Sequence, residues 1–566
     1  MPKSPVSLSK KRRKPITRID AQGLQKALQA GIHHVLERRE YINKINVFPV
    51  ADSDTGTNLA FTLRSVQEAL STQPQANVAL LLGTAADAAV DGARGNSGAI
   101  MAQFFQGLRE GARRSRELNG KRLAAIVRRG AKSAWGAMAQ PVEGTLPTVL
   151  HDFADELAKQ SKRGIDDVAV LLEQGLKRAH KSLANTPNLL PALKDAGVVD
   201  AGAQGFVDFL EGVVRFVRDG KLPESIQNLE IKDTTEVHHQ HQENLTFRYC
   251  TECLITGEGI DRGQLQTKLT ELEADSLVLA GSQQRVRVHI HTNQPAQVFL
   301  ACEQFGQLSQ QKADDMQRQH RLLNQSGSVA VVCDSGADMP EEAVERLGIH
   351  RVALRLNIGD QEYLDRLSMS PDELYERADE LKEHPQTSQP PPGDFRRQYE
   401  LLTSHGYEVV SLHTSGRLSG TLQAAQTAAS RQDAEMIQVL DTCNAASGHG
   451  LLTILAAEVA ASGADSQRIV DVINERIALT RSFAMVKDLS WGVRGGRVSI
   501  WAKRIADWLR LRIILGNTED GRLKAQGAIL ARQNSIPGFA RWLLKRMDAN
   551  TMYRLVISHC ACPDDA

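Results

Sequence analysis

Along the first 220 residues, apolar positions return every three or four residues and almost never alternate. Leu24, Leu28, Ile32 and Val35 form one such stripe behind Asp20, a residue suited to cap a helix start. The spacing recurs over 78–90, 99–110, 121–139, 146–160, 166–183 and 203–218, and the apolar-rich run after VADSDTGTN predicts one more helix. The expected domain is all-α, with antiparallel helices joined by polar turns. Residues 223–245, which include VHHQHQEN, read as a polar linker, and its His238, His239 and His241 as a solvated tract. TFRYCTECLIT and RVRVHIHTN then read as strands, with helical patterns over 262–273 and 295–305. From 327 onward SVAVVCDS, HRVALRLNI, YEVVSLHTS and AEMIQVLDT each lead into a polar loop and a helical pattern. That rhythm predicts a parallel, helix-covered sheet. The chain is therefore expected to be multidomain: a tail (1–17), an all-α antiparallel domain (18–222), the linker, a small α/β domain (246–322) and an α/β domain with a parallel sheet (327–566).

Composition changes this picture little. The 566 residues carry a net charge of +1, with 42% apolar and 24% charged positions, ordinary for globular protein and without the charge excess of a nucleic-acid binder. KKRRKP at 10–15 reads as a solvated tail. No run approaches the roughly 18 apolar residues of a membrane span, and no apolar segment follows the basic start to make it a secretory signal. Seven cysteines do not form a disulfide framework, so a reduced, cytoplasmic setting is expected.

The chemistry begins at VADSDTGTN, residues 50–58, where Asp52 and Asp54 stand one residue apart. Such a stretch can cap a helix, and it can also hold Mg²⁺ through hard oxygen ligands. Neither Gly120–Lys121 nor Gly220–Lys221 is followed by Ser or Thr, so a Walker loop is excluded. DGARGNSGAI (91–100) instead places glycines at a predicted helix start, where free amides attract anions. PVEGT (141–145) and DAGVVDAGAQG (195–205) add further polar loops ahead of helices.

Together these motifs resemble the L-subunit-type domain of dihydroxyacetone kinases and, more closely, the kinase component of bacterial fatty acid kinases. NVFPVADSDTGTN departs from the family pattern only at Ala51 and Ser53, which replace Pro and Gly. The resemblance implies a helical barrel binding ATP and Mg²⁺ at one mouth, with Asp52 and Asp54 as catalytic Mg²⁺ ligands. It implies nucleotide contacts at Thr55, Thr57, Asn58, Gly95, Asn96, Ser97, Gly98, Thr145, Asp200 and Gly202. Asn46 stands where the soluble dihydroxyacetone kinases use a further aspartate.

In the middle segment Cys250-x-x-Cys253 and His289-x-His291 suggest zinc, yet strand geometry lets only one of the cysteines share the histidines' face. A structural, half-buried strand face is the alternative. The segment resembles the middle domain of the fatty acid kinase component. That match selects Cys250, His289 and His291 as a zinc set with an open position, and leaves Cys253 as a core residue.

CDSGADMP, TSQPPPGDF, HTSGRLSGTLQ and RGGRVS resemble the DegV family of fatty-acid-binding proteins. The match implies that Thr387, Ser388, Ser415 and Arg497 serve the lipid carboxylate. The family pattern continues past YRLVISH with a T-H-T-G-P-G loop absent from this sequence, so either the sequence is truncated there or the module is degenerate. The whole resemblance implies ATP-dependent conversion of a fatty acid to acyl phosphate by a kinase fused to its acyl carrier. Expected partners are the fatty acid and ATP, a second copy of the chain, and separate DegV-type carriers or an acyltransferase, with no nucleic acid. The alternatives are a glycerone-type small-molecule kinase and a non-catalytic lipid-binding regulator.

Overall fold

The computed structural model describes residues 15–48, 54–72, 75–220, 246–324, 328–377, 383–432, 435–494, 499–530, 535–560 and 562. Residues 10–14 of the basic run, Ala51, Asp52, Ser53, the linker histidines His238, His239 and His241, and Arg497 lie outside the described residues. The chain divides into two compact units, Met1–Gln317 and Arg318–Ala566.

The first unit opens with α1 (Ala21–Glu37), α2 (Arg39–Lys44), α3 (Thr55–Thr72), α4 (Val78–Gly92), α5 (Gly95–Gly111), α6 (Gly120–Trp135), α7 (Leu146–Lys162), α8 (Val168–Leu189), α9 (Pro191–Ala196) and α10 (Ala201–Asp219). Side-chain caps start several of them: Asp20 accepts the Gly23 amide at 2.8 Å, and Asn77, Asn119, Asp167 and Asp200 act alike. The long helices pack in sequence order, α3 to α8, and α10 then lies between α8 and α1, which returns to α3. The result is a closed ring around a core that includes Ile32, Leu63, Val66, Phe105, Phe153 and Phe206. The α1–α10 seam is tight: a Cβ on Gly212 would stand 2.4 Å from the Ala30 carbonyl oxygen, so only glycine fits there.

The second part of this unit is an antiparallel sheet in the order β2-β3-β1-β4, from β1 (Tyr249–Thr256), β2 (Ala274–Gly281), β3 (Arg285–Thr292) and β4 (Gln307–Asp315). Helices Arg262–Thr270 and Pro295–Glu303 pack on it over Cys253, Val288, Ile290 and Phe299. The strands β2 and β4 were not predicted. Both are edges, and QLSQQKADD lacks the apolar alternation that marks a half-buried strand. The helix expected over 121–139 stops at Trp135. Gly136 disfavours its continuation, and Ala137 and Ala139 instead pair with the open edge of β2. There the Leu279 amide donates to Ala137 at 2.8 Å and the Ala139 amide to Leu277 at 3.1 Å.

The second unit contains β5 (Val329–Asp334), β6 (His350–Val352), β7 (Arg355–Ile358), β8 (Gln361–Leu364), β9 (Gln386–Ser388), β10 (Glu408–His413), β11 (Ile437–Asp441), β12 (Phe483–Val486), β13 (Leu511–Asn517) and β14 (Leu523–Leu530). The expected parallel sheet is β11-β10-β5-β6. Ala330, Val332 and Val409 enter the core on one face, and Val331, Cys333, Val410 and Leu412 the core on the other. Burial on both faces is what a helix-covered parallel sheet requires. The single strand expected over HRVALRLNI divides into β6 and β7. Gly359, at φ +61°, lets the chain turn straight back from β7 into β8, so β7 joins an antiparallel β8-β7-β9 sheet. A further antiparallel sheet, β12-β13-β14, was not predicted. YRLVISH, which corresponds to a strand in the DegV-family pattern it resembles, forms no ladder among the described residues and is mostly exposed. Among those residues no helix is long and apolar enough to cross a membrane.

Candidate active site in the helical ring and middle sheet

In an up-and-down ring, alternate helices start at the same end. The N-termini of α3, α5, α7 and α10 meet in this way. Asp54 immediately precedes α3, and its carbonyl accepts the Asn58 amide at 2.8 Å, the first hydrogen bond of that helix. Thr55 Oγ1 donates to Asn46 Oδ1 at 2.8 Å. Asn43 of α2 accepts the Thr57 amide at 3.0 Å and donates to Thr57 Oγ1 at 2.9 Å. Sequence reasoning missed Asn43, which carries no motif signature. The donors gathered here are oxygens of carboxylate, hydroxyl and amide, the set that suits Mg²⁺.

The GNSG turn lies beside them. Gly95 takes φ +61°, and a Cβ on it would stand 2.7 Å from Asn58 Nδ2. Its amide donates to Glu252 Oε1 at 2.6 Å, so this group is committed within the protein. The Gly98 amide goes to the Arg94 carbonyl at 3.1 Å, and a Cβ there would stand 2.4 Å from Thr62 Oγ1. These two glycines, expected at the nucleotide, make room and close the turn, and the amides of Asn96 and Ser97 lie between them. A Cβ on Gly202 would stand 2.6 Å from Ser97 Oγ, which brings the start of α10 against the same turn. Asp200 caps α10 through the Ala203 amide at 2.7 Å and also accepts from the Leu146 amide at the start of α7. Burial raises its pKa to about 6 against those two hydrogen bonds. Thr145 Oγ1 donates to the Val142 carbonyl at 2.7 Å.

The middle sheet presents Cys250, His289 and His291 with ligand atoms all within 4.8 Å of one another. In the β1–β3 register Cys250 faces His291 and Glu252 faces His289, so the side chains project from one sheet face, while Cys253 is wholly buried in the core. Each histidine has a carboxylate on Nδ1: Glu252 on His289 at 2.9 Å and Asp275 on His291 at 3.3 Å. His289 Nε2 is buried with no hydrogen-bond partner. Paired carboxylate–imidazole contacts with a free ring nitrogen are the usual surroundings of histidine metal ligands, so the residues fit zinc. Burial lowers the His289 pKa, keeping the ring in the neutral form a metal needs, although Glu252 opposes the shift. Burial and then Glu252 push the Cys250 thiol well up, and the Asp54 charge is close enough to add to that push. Burial also disfavours ionised Glu252, but Lys312, His289 and Arg287 outweigh it and hold the carboxylate well below its usual range.

In the second unit, Ser415 is buried at the end of β10. Its amide donates to the Asn444 carbonyl at 2.8 Å and its Oγ accepts from the Arg417 amide at 3.2 Å. Thr387 and Ser388 are exposed on β9, and Ser388 Oγ accepts from Asn357 Nδ2 at 3.3 Å. A Cβ on Gly420 would stand 2.6 Å from Gln389 Oε1, so this strand adjoins the Ser415 loop. Beneath lies a polar network that sequence reasoning missed. Asp334 accepts from the Thr414 amide and hydroxyl, each at 2.9 Å, and meets His413 Nδ1 at 3.1 Å. His413 Nε2 meets Ser411 Oγ at 2.7 Å, and Ser411 accepts from Tyr399 at 2.8 Å.

Three family models match successive parts of the chain: the DAK2 domain over 49–215, the middle domain of fatty acid kinase-like proteins over 246–323, and the DegV family of uncharacterised proteins over 328–566. One polypeptide thus carries, in order, regions similar to the DAK2 domain, to the fatty acid kinase-like middle domain and to the DegV family, the arrangement of a fatty acid kinase joined to a DegV module. An uncharacterized protein of Staphylococcus aureus (strain bovine RF122 / ET3-1) is 32% identical over 317 residues, 54% of this chain and 57% of that protein. The chain thus spans little more than half the length of the curated relatives it matches. A DegV family protein from Thermus thermophilus, described as fatty acid binding, is 32% identical over 38% of this chain and 78% of its own, with a TM-score of 0.34. DegV of Bacillus subtilis, described as a fatty acid binding protein, is 30% identical over 39% and 78%, with a TM-score of 0.35.

Proposed function

We propose that the chain transfers the γ-phosphate of ATP to a fatty acid carboxylate, giving an acyl phosphate, and that its DegV-family region carries the acyl chain. The observation that carries the reading is the meeting of four helix N-termini around Asp54, Asn58, Ser97 and Gly202 in a chain that also holds the middle and DegV-family segments. A carboxylate is ionised near pH 7 and needs no general base, so the site has to position the reactants in line and neutralise phosphate charge. Asp54, with Asp52 beside it in sequence, would hold Mg²⁺, which supplies that neutralisation when bound. The amides of Asn96 and Ser97 offer the phosphates hydrogen-bond donors at a helix start. Asn43 and Asn46 fix the Thr57 and Thr55 hydroxyls. Cys250, His289 and His291 would hold zinc. A separate acyl module answers the other difficulty, because each methylene left in water costs ~0.8 kcal/mol.

The test is transfer of label from γ-labelled ATP to a long-chain fatty acid, with glycerone run in parallel and Asp54→Ala as the blank. Hydroxylamine-labile acyl phosphate that falls by at least ~10²-fold in the variant is expected, the scale of losing one preorganised electrostatic group. Transfer to glycerone alone would replace this reading with a small-molecule kinase, and no transfer to either would leave a binding protein.

A further inference from the structure

Glu252 touches both halves of the proposed site. It is 1% exposed, and a single oxygen, Oε1, serves the Gly95 amide at 2.6 Å and His289 Nδ1 at 2.9 Å. Its other oxygen faces Arg287 Nη2 at 3.4 Å. Gly95 in turn sits against Asn58, with no room for a Cβ between them. A continuous line of contacts therefore runs from the metal-ligand set, through one carboxylate oxygen, to the turn that opens the nucleotide end of the ring. A displacement of His289 cannot leave Oε1 in place for Gly95 unless one of two short hydrogen bonds inside a packed interior is given up.

We infer that Glu252 is a positioning residue that couples metal occupancy of Cys250, His289 and His291 to nucleotide binding at the GNSG turn. The inference rests on the functional reading above and adds regulation to it. Metal bound to His289 fixes its ring, the ring fixes Glu252, and Glu252 holds Gly95 at the positive φ that the start of α5 requires. Coupling of this kind is reciprocal: whatever factor zinc contributes to nucleotide affinity, nucleotide must contribute to zinc affinity.

The experiment titrates Mg²⁺ with the β,γ-imido analogue of ATP into the full chain by calorimetry, once loaded with Zn²⁺ and once stripped, and repeats both titrations on Glu252→Gln. Zn²⁺ binding is then measured with and without the analogue. In the unmodified chain zinc should tighten analogue binding by ~5–150-fold, the usual span of allosteric coupling, with the same factor in the reverse titration. In Glu252→Gln zinc should bind ~10–100-fold more weakly, as for other lost partners of metal-bound histidine, and the coupling factor should fall to about 1. Gln103→Ala serves as the control. Gln103 accepts the Gly281 amide at 2.8 Å, a separate link between ring and sheet, and its loss should leave the factor unchanged. Equal analogue affinity with and without zinc in the unmodified chain overturns the inference without needing any variant. An unchanged factor in folded Glu252→Gln overturns it as well. Failure of the analogue or of zinc to bind at all would remove the functional reading, and the coupling with it, and so differs from binding of both without coupling.

Discussion

Two acid–histidine clusters, one in each unit, differ in how their buried imidazole nitrogens are partnered. Around Asp334 every imidazole nitrogen has a protein partner: His413 meets Asp334 and Ser411, while His449 meets Thr414 Oγ1 at 3.3 Å and the Leu412 carbonyl at 3.1 Å. Around Glu252 the Nδ1 nitrogens of His289 and His291 are held by carboxylates, but His289 Nε2 is buried with nothing opposite it. A satisfied network of this kind fixes a loop, here the one that carries Ser415. An interior lone pair without a partner costs free energy, and the zinc proposed for Cys250, His289 and His291 would supply one. The difference separates a network closed on itself from one in which a histidine nitrogen, in a set with metal-ligand spacing, is left open to a ligand.

The largest effect expected from this contrast is on folding of the second unit. Asp334→Ala removes the partner of His413 Nδ1 and of the Thr414 amide and hydroxyl, and should cost about 3–5 kcal/mol in denaturant unfolding while leaving the zinc content unchanged. Asp334 is held below the usual carboxylate range because His449, His413 and Thr414 outweigh burial. Its contribution is therefore present above the unfolded value of 3.8 and lost as pH falls through the lower folded value, so the variant should flatten acid unfolding.

Asp200 inverts that sign. Burial outweighs the two amides that Asp200 accepts from and lifts its pKa from 3.8 to about 6. The folded state then binds the extra proton, and stability is full below 3.8 and lost as pH rises through about 6. That shift corresponds to about 3 kcal/mol. Asp200→Asn, which can still accept at the helix start, should remove this slope between about pH 4 and 6.

A smaller effect is expected for Cys250→Ser. It should abolish zinc binding yet change the unfolding free energy of the stripped chain by no more than about 1 kcal/mol, because the thiol makes one long contact, 3.8 Å to His289. A large loss in the stripped chain would mean that this cluster too is structural. Smallest of all is Asp91→Asn, which removes a half-exposed ion pair with Arg285 at 2.9 Å and should cost under about 1 kcal/mol.

The two clusters were not equally legible in the sequence. His289-x-His291 on an apolar strand announces one shared face and the cysteine spacing allows only one thiol to join it, while the choice of Cys250 comes from the resemblance to the fatty acid kinase middle domain. Asp334, His413 and His449 come from three elements brought together by the parallel sheet, and nothing in their local spacing links them. The ring of helices was readable because its apolar stripes are long. The edge strands β2 and β4 were not, because edges carry weak patterns, and neither was the sheet β12-β13-β14, whose β14 is largely exposed and carries no apolar face. At the mouth of the ring, Asp54, Asn58 and Ser97 stand together as their motifs suggest. Gly95 differs: its amide is occupied by Glu252, a partner 157 residues away that no local motif could supply.

The most direct test of the contrast is the metal content and zinc-edge absorption spectrum of the full chain, alongside Cys250→Ser and His413→Asn. The account predicts one tightly held zinc with sulfur and imidazole nitrogen ligands, absent from Cys250→Ser and retained in His413→Asn. A chain that takes up no zinc, or zinc that survives the loss of Cys250, would contradict it.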